Sequence, residues 1–341
     1  MIERTEMADG LEMARILNGM WQVSGAHGRI EPEAAVASML DYHDAGFTTW
    51  DLADHYGPAE DFIGQFRRRL AGARGPQALT GIRAFTKWVP RPGPMTQPLV
   101  AQSVARSLRR MDVPALDLLQ FHWWDYQDSR YLDALTHLAE ERDAGRIRHL
   151  ALTNFDTEHL KRILDHGIAI VSNQVQYSLI DRRPEVQMAP FCQAHGVQLL
   201  AYGALAGGLL SHRYLGQPEP ARAALTTASL QKYKQMVDAW GGWSLFQELL
   251  RALQAVAERH RLSSGQEVSI ANVAVRYVLD RPAVAGVIIG ARLGVAEHRQ
   301  ENARVFDLAL DAEDLEGIEA VLGKSRDLYR SIGDCGDEYR G

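Results

Sequence analysis

The spacing of apolar positions along this chain alternates between two patterns. Short β-prone, apolar runs of buried-strand length are followed by longer stretches with apolar residues three and four apart, as on one helix face. The strand candidates cover residues 15–23, 48–53, 84–88, 116–123, 147–153, 170–176, 198–202 and 285–289. Helical spacing covers 32–45, 59–70, 99–111, 131–144, 157–165 and 185–194, with Gly46 and Gly145 as stop signals. After the seventh strand the alternation breaks. Residues 207–243 are long, irregular and rich in Gly, Pro and Ala, which predicts a lid or binding loop. Helical stretches at 245–260 and 269–280 lead to the last strand, and two more follow at 295–305 and 312–322, with Asp311 set to cap the second. Residues 2–13 read as a polar hairpin turning at Asp9-Gly10.

Eight short strands with helices between them predict a (β/α)8 TIM barrel, with an N-terminal capping hairpin and a long loop after strand seven. A doubly wound sheet would show an early glycine-rich phosphate turn, and no GxGxxG follows the first strand. No composition shift or repeat divides the chain, so a single domain over residues 1–341 is expected.

Composition narrows the class. The net charge of −6, without a basic block, argues against a nucleic-acid partner. No apolar run approaches the ~20 residues of a membrane span, and the acidic start does not read as a signal peptide. Cys192 and Cys335 form no CxxC, so neither zinc nor a disulfide framework is expected. A cytoplasmic protein fits these features.

The candidate chemistry lies where strands end. Asp51 and Tyr56 follow the second strand, Lys87 ends the third and His122 ends the fourth. In a barrel these ends share one rim. A phenol, with a pKa near ~10, becomes a useful acid beside a cation that favours its ionised form. Lys87, held by Asp51, is expected to lower the pKa of Tyr56, and a neutral His122 to orient a carbonyl oxygen. No HxH or HExxH points to a metal.

Residues 51–57 (Asp-Leu-Ala-Asp-His-Tyr-Gly), with Lys87 and His122, resemble the Asp–Tyr–Lys–His tetrad of the aldo-keto reductases. The resemblance runs through Gly19-Met20-Trp21-Gln22, Thr153-Asn154-Phe155, the 173–177 and 201–209 segments, and Ile288 to Arg292 with Glu301-Asn302. It implies an NADP(H)-dependent reductase of aldehydes or ketones, or the reverse reaction. The implied cofactor contacts are Trp21, Asp51, Asn154, Gln174, Tyr202, Leu205, Arg292, Glu301 and Asn302. Asn154 and Gln174 would hold the carboxamide, Tyr202 would stack on the ring, and Arg292 would meet the 2′-phosphate. The family's Ser-Pro after Tyr202 is replaced by Gly203-Ala204, and the usual Pro of Ile-Pro-Gly by Ile289.

Six of the seven tryptophans fall at predicted strand ends or in the long loop, which predicts an aromatic cup beside Tyr126. Trp21, His55, Trp88, Trp123 and Trp124 are its expected substrate contacts. The expected partner is a small carbonyl compound, with the chain a monomer or homo-oligomer. A cofactor-retaining redox sensor with slow turnover is the alternative reading.

Overall fold

The computed structural model describes all residues except Ala26, His27, Arg29, Gln266 and Gly341; at residues 262–264 only the backbone is described. The hairpin β1 (Arg4–Ala8) and β2 (Leu11–Ala14) turns at Gly10, whose φ of +66° suits glycine. Eight parallel strands then close on themselves: β3 (Ile16–Gly19), β4 (Thr49–Asp51), β5 (Arg83–Trp88), β6 (Leu116–Phe121), β7 (Ile147–Thr153), β8 (Ser172–Gln176), β9 (Gln198–Tyr202) and β10 (Val284–Gly290). β10 pairs with β3 and closes the barrel.

Helices α1 (Pro32–Asp44), α2 (Ala59–Arg74), α3 (Gln97–Met111), α4 (Tyr131–Asp143), α5 (Thr157–Asp165) and α6 (Met188–His195) fill the crossovers. α7 (Ala228–Trp240), α8 (Gly242–Ser264) and α9 (Ile270–Leu279) lie between β9 and β10. α10 (Arg299–Arg304), α11 (Ala312–Leu322) and α12 (Leu328–Ile332) follow. Asp311 caps α11 in a reciprocal capping box with Asp314.

Two expectations change. The 207–243 segment is not irregular throughout: its second half is α7, capped by the Thr227 side chain on the Leu230 amide. Trp240 and Trp243 on this segment are buried among helices, and Trp243 Nε1 donates to the Gln217 carbonyl at 2.9 Å. The first strand is also shorter than its apolar run, because the chain turns into a 3-10 helix at Trp21–Ser24 and lifts Trp21 onto the rim.

The barrel axis is apolar at one end and polar at the other. Residues two apart on a strand share a face, so Leu118 and Gln120 follow one another up the interior of β6, with His122 just beyond its end. At the lower end Leu17, Phe85, Leu118, Ala151 and Leu200 pack with Met7, Leu11 and Met13 of the hairpin into a separate apolar cluster. The hairpin thus plugs the bottom, and the Asp51, Lys87, Gln120 and Gln174 cluster lies at the top.

Among the described residues, no helix is long and apolar enough to cross a membrane.

Candidate active site

The top of the barrel holds a buried ion pair. Lys87 Nζ donates to both oxygens of Asp51, at 2.6 and 2.7 Å, and to the Leu52 carbonyl at 3.1 Å. Both side chains are almost wholly buried. Burial lowers the pKa of Lys87 from the ordinary lysine value, and the Asp51 carboxylate works against that fall. An unpaired ammonium here would carry a large desolvation cost, so the pair is needed for either member to be charged.

Tyr56 stands above this pair, with Lys87 Nζ 5.4 Å from its ring centroid. Its turn is pinned from outside. Arg110 donates to the carbonyls of Asp54 (3.0 Å) and Gly57 (2.6 Å) and pairs with the buried carboxylate of Glu60 at 2.9 Å. Gly57 has φ +53°, and a Cβ there would sit 3.2 Å from the Val23 carbonyl, so glycine suits this turn. The phenol is flanked edge-on by Trp21 at 5.0 Å and His55 at 4.8 Å.

The expected lowering of the Tyr56 pKa is reversed. Burial, followed by the nearby Asp51 charge, pushes it well above the ordinary tyrosine value. The main cause is burial, which disfavours a charged phenolate, and the Asp51 carboxylate adds to it by opposing the Lys87 charge. The resting site therefore holds a protonated phenol.

His122 is buried, and its backbone amide donates to the Trp88 carbonyl at 3.1 Å. Burial, reinforced by Arg340, His55 and Lys87, depresses its pKa to about 3. The ring is neutral at physiological pH, and among the described residues its buried Nε2 has no hydrogen-bond partner. Trp124 covers it at 4.2 Å. Asp51, Tyr56, Lys87 and His122 are thus gathered at one rim.

The expected cofactor residues divide into two groups. Gln174 is committed downward: its Nε2 donates to Asp51 Oδ1 and to Gln120 Oε1, both at 2.7 Å. Asn154 sits in the left-handed region at φ +56°, a conformation asparagine tolerates better than most residues. Its Oδ1 accepts from the Tyr202 hydroxyl at 2.8 Å. With those bonds made, Gln174 retains an acceptor in Oε1 and Asn154 a donor in Nδ2. One acceptor beside one donor complements a carboxamide, so these residues fit a nicotinamide. Leu205 follows on the turn after β9. The Gly203 replacement also has a local cause, since φ is +78° and a Cβ would sit 2.3 Å from the Tyr233 hydroxyl.

The second group lies far from the tetrad in sequence. Arg292 is exposed after β10. Glu301 accepts from Ser269 Oγ at 2.9 Å and pairs with His298 at 3.4 Å, which raises the His298 pKa, while Asn302 is buried.

The aromatic cup is smaller than expected. Trp21 and Trp124 are the tryptophans exposed at the rim, and Trp88 is buried against Phe121. Trp123 is fully buried, its Nε1 donating to the Asp125 and Asp128 carbonyls, so it supports the rim from behind. Tyr126 is half-buried, stacked on His159 at 3.5 Å and covered by the Arg340 guanidinium at 3.8 Å. His55 is exposed and hydrogen-bonded to Asp54 at 3.0 Å.

Sequence reading missed the segment that closes the mouth. Arg183, buried against both oxygens of Asp181, donates to the Asp334 carbonyl (3.0 Å) and pairs with Glu338 at 3.0 Å. Arg340 donates to the carbonyls of Asn154 (2.7 Å) and Trp123 (2.6 Å). Between them Tyr339 meets the Tyr202 hydroxyl, and its ring lies 6.2 Å from His122. The charged and aromatic Asp-Glu-Tyr-Arg run at 337–340 was the available signal. Among the described residues, no group of three or more His, Cys, Asp and Glu side chains could hold a metal ion.

The Aldo/keto reductase family profile matches residues 15–322. The chain is 29% identical over 334 residues to protein Tas of Escherichia coli, covering 86% of this chain and 91% of that protein. It is 21% identical over 324 residues to the NADH-specific methylglyoxal reductase of the same organism, covering 89% and 93%. Against flagellar radial spoke protein 5 of Chlamydomonas reinhardtii the identity is 27% over 301 residues, 71% of this chain; the chain spans 56% of that protein's length. The glycerol dehydrogenase AKR11B4 of Gluconobacter oxydans superposes with a TM-score of 0.74 at 23% identity, over 98% of this chain and 96% of that one, and so shares the fold. A match over nearly the whole chain, on a barrel whose rim gathers these four side chains, assigns the protein to the aldo/keto reductase family of oxidoreductases.

Proposed function

We propose that this protein interconverts an aldehyde or ketone and its alcohol with NADP(H), with Tyr56 as the proton donor in reduction. The observation that carries this reading is the placement of Tyr56 by the buried Asp51–Lys87 pair at the same rim as the buried, unpartnered Nε2 of His122. Bound nicotinamide would supply hydride. The chain's own part is to hold the carbonyl and deliver the proton. His122 Nε2–H donates to the carbonyl oxygen and orients it. Tyr56 gives its proton to that oxygen as negative charge develops there. Lys87, whose ammonium lies 5.4 Å from the ring centroid, then stabilises the phenolate left behind. In oxidation the same phenolate takes the proton back.

Gln174 and Asn154 would hold the carboxamide, Tyr202 and Leu205 would pack near the ring, and Trp21 and Asp51 would border it. Arg292 would meet the 2′-phosphate, a pairing that suits a guanidinium, with Glu301 and Asn302 toward the adenine. Because one relative is an NADH-specific methylglyoxal reductase, the preference for NADP(H) rests on Arg292 alone. Trp21, Trp88, Trp124 and His55 offer a small, largely aromatic site, which favours compact carbonyl substrates.

The test is NADPH consumption against a panel of small aldehydes and ketones, with wild type, Tyr56→Phe and Arg292→Ala. Tyr56→Phe is expected to bind NADPH normally and to lose turnover by at least ~100-fold. Arg292→Ala is expected to lose most of the preference for NADPH over NADH. Unchanged turnover in Tyr56→Phe would exclude it as the proton donor.

A further inference from the structure

Gln120 belongs to no expected set of site residues, yet it sits at the centre of the buried polar layer. It is fully buried on β6, facing the axis between Leu118 and His122. Its Nε2 donates to Asp51 Oδ1 at 3.0 Å, and its Oε1 accepts from Gln174 Nε2 at 2.7 Å. Asp51 Oδ1 therefore takes donors from Lys87, Gln120 and Gln174.

The orientation of both amides follows from the carboxylate. With an ammonium 2.6 and 2.7 Å from its two oxygens, Asp51 is ionised and can only accept. Each glutamine must therefore turn its NH2 toward Oδ1. For Gln120 this aims Oε1 at Gln174; for Gln174 it directs Nε2 at two acceptors and Oε1 away from both. A flip of Gln174 would face its carbonyl toward a carboxylate and toward the Gln120 carbonyl, losing two buried hydrogen bonds.

We propose that Gln120 is a positioning residue that locks the Gln174 amide so that its only remaining polar atom toward the mouth is an acceptor, and thereby makes the site select a cofactor ring carrying an amide N–H. This rests on the nicotinamide reading given above. Gln120 touches no cofactor itself and acts only through Gln174. Without it, Gln174 keeps one acceptor, Asp51, and gains freedom to rotate, so the requirement for an N–H on the ring substituent is relaxed.

A chemical cycle on binding tests this. NADPH and its reduced 3-acetylpyridine analogue, whose methyl ketone has no N–H to give Gln174, are titrated by fluorescence into wild type, Gln120→Met and Gln120→Glu. Methionine matches the volume of glutamine, and unliganded melting curves establish that each variant folds. Wild type is expected to bind NADPH ~5- to 50-fold more tightly than the analogue, the value of one buried hydrogen bond. In Gln120→Met that ratio should fall to within ~2-fold of unity, through weaker NADPH binding and with little change for the analogue. A purely structural role would weaken both ligands together and leave the ratio unchanged, which would overturn the proposal. Gln120→Glu is the control, because its carboxylate still accepts from Gln174 Nε2 and its ratio should stay at the wild-type value. If Gln120→Met fails to fold, Gln120→Leu, which also removes the acceptor, carries the test with the same expected fall, and an unchanged ratio there overturns the proposal. Equal binding of both ligands by wild type would overturn the proposal and leave the nicotinamide reading standing; binding of neither would overturn that reading as well.

Discussion

The hydroxyls of Tyr202 and Tyr339 lie 3.1 Å apart although 137 positions separate them in the chain. The contact brings the 333–340 segment over the ring expected to stack on nicotinamide. It is held by Arg340 on the Asn154 and Trp123 carbonyls and by the Arg183–Glu338 pair. Lys232 joins from α7, donating to the Tyr339 hydroxyl at 2.5 Å. Tail and barrel thus form one mouth.

Arg340→Ala should therefore loosen that segment. Two charge-assisted hydrogen bonds are lost, each worth ~1.5–3 kcal/mol. Amide exchange at residues 335–340 is expected to quicken at least ~10-fold, while β6 and β8 keep their protection. Unchanged exchange would mean that Arg183 and Asp334 alone hold the tail.

Lys87 and Asp51 should behave as a unit. Lys87→Met leaves a buried carboxylate with no counter-charge, and a stability loss of ~3–5 kcal/mol is expected on denaturant unfolding. Combining it with Asp51→Asn should restore much of that stability, because an amide tolerates burial beside Gln120 and Gln174. Turnover should stay at least ~100-fold down in both variants, since Tyr56 would lack its cation. A double variant as unstable as the single one would contradict the assignment of the loss to an unpaired charge.

The pH dependence of the two reaction directions should diverge. The Tyr56 pKa is raised, first by burial and then by Asp51. The protonated form therefore persists from neutral pH to above the ordinary tyrosine value. If Tyr56 is the proton donor as proposed, carbonyl reduction should hold its rate across this range, whereas alcohol oxidation, which would need the phenolate, should climb as pH rises. Steady-state rates from pH 6 to 10 in both directions check this. A reduction rate already halved by pH 8 would contradict a protonated resting phenol.

His122 should make the fold sensitive to acid. Its folded pKa is about 3, against the ordinary value of 6.5. Because the folded value is depressed, the contribution is fully present above pH 6.5 and is lost as pH falls toward 3, at ~1.4 kcal/mol per pH unit. Urea unfolding at pH 6.5 and 5.0 should show wild type losing ~2 kcal/mol more than His122→Gln. Equal losses would place a protonated imidazole at this position in the folded state.

By itself the sequence determined the barrel and which four candidate side chains meet at one rim. Strand and helix periods depend on local spacing, so β7 and β9 have the bounds their apolar runs indicate. Parallel strands in a closed barrel all end at the same rim, which brings Asp51, Tyr56, Lys87 and His122 together without knowledge of any contact. What the sequence could not decide depended on distances between remote parts of the chain. The Tyr56 pKa turns first on how deeply the phenol is buried and then on the Asp51 charge near it, and the direction inferred from the lysine alone was reversed. Trp123 and Trp124 are neighbours with the same local signal, yet the direction each side chain takes buries the first and leaves the second on His122. Gln120 was one of two polar residues, with Asp117, in an otherwise apolar strand; only the three-way meeting at Asp51 gave it a role. The tail had no periodicity to read, because its position is set by ion pairs and carbonyl contacts to Arg183, Asn154 and Trp123. Local spacing determined which elements form and which end of the barrel carries the chemistry. Electrostatic coupling and side-chain packing, which exist only once the chain has closed, decided how that chemistry is held.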